Sequence, residues 1–253
     1  MFFTEEDLKN PEIVKGLAIN LAMSFFFEED DLHRGNMSKT GCRIDFDMSL
    51  WPVFGHFKEG TKIDWMYRPY DQKYFPITAR DIDNFPDLMD AKPFYWPTKP
   101  QMVIIEKARK ALSGYVPISK NAFPTIENKL FIRLKDDPTF IYHKFKTLLK
   151  CMLASEQDYQ HLIAQHLREN LRHTDPQIPE KNISDLLSKH IEMRKHELRS
   201  NLINMPSFHN FLWKNGKKAM LEILEEFREH NQNVRGSENK KWMKDPSRAT
   251  DPL

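Results

Sequence analysis

Residues 138–172 read PTFIYHKFKTLLKCMLASEQDYQHLIAQHLRENLR, and the fold turns on them. Asp136 and Asp137 offer a capping carboxylate, and Pro138 follows where a helix tolerates proline best. Ile141, Phe145, Leu148, Leu149, Met152 and Leu153 then recur at helical spacing. Tyr159, Leu162, Ile163, Leu167 and Leu171 carry on roughly the same side. The spacing predicts one helix of about 50 Å through the stretch, at ~1.5 Å per residue. Ser155-x-x-Asp158 is the place where it would break, because that spacing also starts helices. The apolar residues of the first half fall in adjacent pairs, a wide stripe that suits core packing better than a coiled-coil seam. Leu148, Leu149, Met152 and Leu153 are therefore expected at the shared centre of the fold. Charged and amide residues separate the apolar positions of the second half, which should be only partly buried. Tyr159, Leu162, His166, Leu167 and Leu171 are thus the candidate partner or self-association surface.

Other helices need that core. Asn10 caps and Pro11 opens a helix whose face is Ile13, Leu17, Leu21 and Phe25, ending near Phe27. Thr98 with Gln101 opens a second helix, which Gly114 stops. A third runs from Asn182 to about Asn204, with Ile183, Leu187, Ile191, Leu198 and Leu202 inward. Phe208, Phe211, Leu212 and Trp213 begin a further piece, which Asn215-Gly216 is expected to interrupt before Met220, Ile223, Leu224 and Phe227.

The first half is less regular. Cys42, Ile44, Phe46 and Met48 alternate with Arg43, Asp45 and Asp47, a half-buried strand pattern. Val53–Phe57 and Ile63–Tyr67 flank Glu59-Gly60 as a hairpin, and Leu130–Leu134 is another short strand candidate. Six prolines punctuate residues 68–100, among them Pro76, Pro86 and Pro93. They rule out a long helix or central strand. The interleaved Tyr70, Phe85, Phe94, Tyr95 and Trp96 make this an arm whose rings plug grooves between helices. The expected fold is mainly α, an irregular helical domain with a small antiparallel β element and a Pro/aromatic-rich arm in the N-terminal half. Residues 1–230 form one domain, with a possible subdivision near 115–137. Residues 231–253 are a basic, polar tail expected to be disordered.

Composition narrows the function. The net charge of +2 gives no global field toward nucleic acid or membrane. The first 100 residues carry 17 acidic and 12 basic side chains, and the remainder 19 and 26, so the second half leans toward acidic partners. Two cysteines, Cys42 and Cys151, cannot build a disulfide framework, which fits a reducing compartment. The uncharged run Gly16–Phe27 is too short to span a bilayer and follows acidic residues rather than a basic leader. A cytoplasmic location is expected, without membrane insertion.

Catalytic signatures are thin. Asp45 and Asp47 share one face of the expected strand, and Asp64 could join them to hold a divalent metal. Asp81 and Asp83 repeat the spacing. Each set reads more simply as strand or loop polarity. Gly35 to Thr40 resembles a phosphate loop but has Ser38 where glycine is required. No histidine spacing matches a metal motif, and Cys151 sits among apolar neighbours. Glu28, Glu29, Asp30 and Asp31 read as a solvated loop, with an acidic recognition patch as the alternative. No cofactor is expected. The sequence favours a non-catalytic intracellular adaptor or scaffold that binds a protein partner, or itself, through helical surfaces. One alternative is a divalent-metal enzyme acting on a phosphate-containing substrate through Asp45, Asp47 and Asp64. The other is a nucleic-acid binder using the basic C-terminal half, where Lys240, Lys241 and Lys244 surround Trp242.

Overall fold

A computed structural model describes residues 3–29, 32, 36–43, 49–50, 76–93, 96–98, 126–160 and 180–244. They fold mainly as α-helix: α1 (Pro11–Phe26), α2 (Ala79–Asn84), α3 (Ile126–Arg133), α4 (Pro138–Leu153), α5 (Glu180–Leu202) and α6 (Pro206–Lys244). Among the described residues there is no strand, only an isolated bridge between Met37 and Arg43. Residues 44–48, 53–57 and 63–67, expected as the β element, lie outside the described residues, as does the helix expected after Thr98. The chain divides into two compact units, Met1–His209 and Asn210–Leu253, with the division inside α6.

The first unit is organised on α1 and α4. Asn10 caps α1 by accepting from the Glu12 amide at 3.0 Å, with Pro11 in the first turn. Asp137 does the same for α4, accepting from the Phe140 amide at 2.9 Å ahead of Pro138. Each cap satisfies an amide that the first helical turn leaves without a partner. Leu17, Ala18, Leu21, Ala22 and Phe25 of α1 and Phe140, Phe145, Leu148 and Leu149 of α4 are buried. The aromatic arm closes the gap between the two helices. The Phe85 ring lies 5.6 Å from Phe25 of α1, 6.0 Å from Phe140 of α4 and 6.0 Å from Trp96. Trp96 is fully buried and its indole N–H donates to Pro86 O at 2.7 Å, which removes the polar cost of sinking the ring.

Two expectations for the central stretch are corrected. The helix does not run on from 138 to 172: α4 ends at Leu153, Ala154 turns to extended geometry, and a new helical turn begins at 156. The start box wins over the continuing apolar period. Ser155 N and Oγ both donate to Asp158 Oδ2, at 2.8 and 2.7 Å, and the Asp158 amide donates back to Ser155 Oγ. The expected central quartet also divides. Leu148 and Leu149 are buried, Met152 is half-buried, and Leu153 is 42% exposed, because the last turn of α4 meets α1 on its Cys151 side, where Cys151 Sγ lies 3.5 Å from Met23 Sδ.

Leu130–Leu134, expected as a strand, is helical: α3 runs to Arg133 and a 3-10 turn covers Leu134–Asp136. Leu130, Phe131 and Leu134 are buried at i, i+1 and i+4, and that spacing serves a helix face as well as a strand. The loop 38–43 lies against α1 through two glycines. Gly41 has a φ of +76°, and a Cβ on Gly16 would stand 2.2 Å from Thr40 O, so only glycine fits either place. The Gly35–Thr40 stretch ends in this tight turn, closed by Gly41 N donating to Ser38 O at 3.0 Å.

α5 secures the arm as well. Asn201 accepts from the Ala79 amide at 3.1 Å and donates to Ile77 O at 2.8 Å, holding the entry of α2. α6 runs unbroken through Asn215-Gly216, where an interruption was expected, since one glycine inside a helix costs only about 1 kcal/mol. It enters the segment 231–253, and residues 245–253 lie outside the described residues.

Candidate functional site

Asp45, Asp47 and Asp64 lie outside the described residues. So do Leu162, His166, Leu167 and Leu171 of the expected partner surface. Its first member, Tyr159, is buried. The ring stacks on Phe26 at 6.2 Å, and the hydroxyl donates to Cys151 O at 2.5 Å. Burial raises its phenol well above the usual tyrosine range. Tyr159 therefore ties the turn after α4 to the end of α1 and faces inward.

Asp81 and Asp83 do not act as a pair. The buried Asp81 carboxylate accepts from the amides of Met89, Asp90 and Ala91, which folds the arm around it. Asp83 accepts from Ser207 Oγ at 2.6 Å. No group of three or more His, Cys, Asp and Glu side chains suited to a metal ion occurs among the described residues.

The densest polar chemistry lies at the end of α1. Glu28 and Glu29, expected in a solvated loop, are fully buried, and Glu28 takes a φ of +50°. Asp30 and Asp31 lie outside the described residues. Two carboxylates at a helix C-terminus oppose the helix dipole and need cations. Glu29 pairs with Arg43 at 2.9 Å and accepts from Ser49 Oγ at 2.6 Å. Glu28 meets His190 Nε2 and, at 3.6 Å, the Arg194 guanidinium, both from α5. Arg194 donates from Nε to Phe26 O at 3.0 Å and from Nη2 to Phe25 O at 2.7 Å. It thus serves Phe26 O at the end of α1, adds a short bond to Phe25 O, which otherwise accepts from the Glu28 amide at 3.3 Å, and neutralises Glu28 with the same group. The cluster is closed to solvent, and its groups are engaged in joining α1, α5 and the loop at Arg43.

Lys144 is a further buried cation, with Nζ donating to Ile82 O at 2.9 Å in α2. Desolvation lowers its ammonium from 10.5 to about 8, against the attraction of Asp83. A lowered lysine can act as a nucleophile, but this one is sealed between α4 and the arm. Burial likewise pushes the Cys151 thiol up to about 12, the reverse of an activated cysteine.

Exposed chemistry gathers on α6 in the second unit. Phe211, Ala219 and Ile223 are buried, while Trp213 is 90% exposed, Leu221 59% and Leu224 53%. Trp213, Lys217, Leu221 and Leu224 follow steps of four, four and three, so they share one side of the helix. Lys214, Lys217 and Lys218 are exposed among them. An open groove of about 450 Å³ lies along the helix, with Trp213, Leu221 and the three lysines in its wall together with Glu222 and Glu225, and Lys218 pairs with Glu222 at 3.9 Å. Such an apolar side on an exposed helix has the form of a docking surface. The sequence reading missed it by letting Asn215-Gly216 divide the helix. Carrying the helical period through Gly216 separates Trp213 and Leu224 from Phe211 and Ile223.

No family model matches the chain, and neither curated proteins nor solved structures give a match. No helix among the described residues is long and apolar enough to cross a membrane.

Proposed function

We propose that the chain is a non-catalytic adaptor or scaffold of the cytoplasm that binds a protein partner through helical surfaces. The observation that carries this reading is the nearly complete exposure of Trp213 on the same side of α6 as Leu221 and Leu224. Tryptophan is the residue type most enriched where interfaces concentrate their binding energy. The titratable groups with the most unusual surroundings, Lys144, Cys151 and the Glu28–Arg194 cluster, are buried and occupied in packing, which favours a structural role for each. Leu162, His166, Leu167 and Leu171 are a second proposed surface, resting on their spacing beyond the buried Tyr159.

Site-specific photo-crosslinking tests the reading. A photoreactive residue at position 213 or 221 should give one discrete adduct in cells, while the same residue at the exposed position 129 of α3 should not. The partner so identified, once purified, should form a stoichiometric complex that Leu221→Ser/Leu224→Ser weakens without loss of helix content. Absence of adducts from 213 and 221, or equal adducts from 129, would overturn the assignment to α6.

A further inference from the structure

We propose that the exposed side of α6 receives an acidic amphipathic helix of a partner protein. Its leucine-like face would lie on Trp213, Leu221 and Leu224, and its carboxylates would meet Lys214 and Lys217. The proposal rests on the docking role given to α6 above and names the chemistry of the occupant.

Geometry sets the form of the ligand. Trp213 to Leu224 spans about three helical turns, or ~17 Å at 1.5 Å per residue. Anchors at this spacing suit a second helix laid alongside, whose own contacts recur at i, i+3 or i+4, and i+7. Three apolar side chains make a small patch, of the size used by transient complexes rather than permanent ones.

Charge selects among occupants. Lys214 and Lys217 are exposed beside the aromatic anchor, while Lys218 is engaged with Glu222 of the same helix at 3.9 Å. A lipid surface or a nucleic acid presents negative charge along its whole length. Either would press on Glu222 and Glu225, which line the same groove. An acidic helix is a discrete object: its carboxylates can gather at the lysine end and leave the glutamate end to polar or basic residues. Lys214 and Lys217 precede Leu221 and Leu224 in the chain and Glu225 follows them, and that order also fixes the direction of the bound helix.

The test uses the full chain and two labelled, helix-stabilised peptides with the same leucine face. One is flanked by glutamates; its twin carries lysines in their place. Fluorescence anisotropy should show binding of the acidic peptide, weakening as salt rises. Trp213→Ala should reduce it about tenfold or more, the usual effect of truncating a central anchor. Lys214→Glu/Lys217→Glu should reduce it to a similar degree and raise affinity for the lysine twin, a reversal that a general loss of structure would not produce. Equal binding of the two peptides, or acidic-peptide binding indifferent to both variants, would overturn the proposal. So would tighter, Trp213-dependent binding of phosphatidylserine vesicles or single-stranded DNA, or a Trp213-dependent dimer. If position 213 still crosslinks to a protein while the peptides show no charge preference, docking stands and the acidic chemistry falls. If it gives no crosslink and neither peptide binds, both fall.

Discussion

Arg194→Met probes how the first unit is held together. The guanidinium is fully buried and meets Phe25 O at 2.7 Å, Phe26 O at 3.0 Å and the Glu28 carboxylate at 3.6 Å. Methionine keeps most of the aliphatic stem against the core and deletes the charge. Glu28, itself without exposed surface, is then left with His190, Phe26 O loses the guanidinium N–H, and Phe25 O keeps the long bond from the Glu28 amide at 3.3 Å. Breaking a buried ion pair from one side costs about 3–5 kcal/mol, since the stranded charge keeps its desolvation penalty. That is a large part of the ~5–15 kcal/mol that a domain has in total. Adding Glu28→Gln removes the stranded charge, and the loss should shrink to the ~1–3 kcal/mol of the unserved carbonyl. Arg194→Lys should not restore stability, because a single ammonium cannot span both carbonyls and the carboxylate. Urea unfolding followed by far-UV circular dichroism reads all three variants. A loss under about 1 kcal/mol for Arg194→Met, or a double variant no better than the single one, would refute the account of Arg194 as both helix cap and counter-ion.

Other sites give independent checks. Gly16→Ala lies inside a helix, where alanine normally gains about 0.5–1 kcal/mol. Here the new methyl meets Thr40 O at 2.2 Å, so the variant should melt lower than the parent, and a gain would contradict the close packing of the 38–43 loop. Lys144 should impose a pH dependence. With its folded value lowered from 10.5 to about 8, the unfolded chain takes up the proton first as pH falls through that window. Stability is then lost between these values, by about 3 kcal/mol in all, with the loss complete below the lower one. Lys144→Met escapes this loss, so its advantage over the parent should narrow as the pH is raised from 8 to 10.5, read from urea midpoints. A constant difference would show that Lys144 is better hydrated than its packing implies. Tyr159→Phe removes the hydrogen bond to Cys151 O and should cost about 0.5–1.5 kcal/mol in the same assay. Unchanged stability would mean that the hydroxyl contributes nothing net to the turn after α4.

Helix starts were the most legible part of the sequence, because a cap is local chemistry. Asn10-Pro11 and Asp137-Pro138 act as their residue types dictate, and Ser155-x-x-Asp158 starts a helix as its spacing allows. Apolar period alone was a poorer guide. It carried the central helix past Leu153, although nothing in a repeating pattern marks where a helix runs out of neighbours. It also made Leu130–Leu134 look like a strand, since so short a run, apolar but for Arg133, satisfies both periods. The buried acids were the least legible. Glu28 and Glu29 look solvated next to Asp30 and Asp31, and their partners are Arg43, His190 and Arg194, beyond local sequence range. No local rule joins them. The docking surface on α6 was legible in principle. Trp213, Leu221 and Leu224 carry the helical period across Gly216, but an Asn-Gly pair is a strong turn signal, and it prevailed over a glycine that the helix simply absorbs.

Hydrogen–deuterium exchange of the full chain, with and without the acidic peptide, tests the central claim most directly. Protection should appear in α6 over residues 210–228 and leave α1, α4 and α5 unchanged. Protection centred elsewhere, or none at saturating peptide, would contradict the assignment of the binding surface to α6.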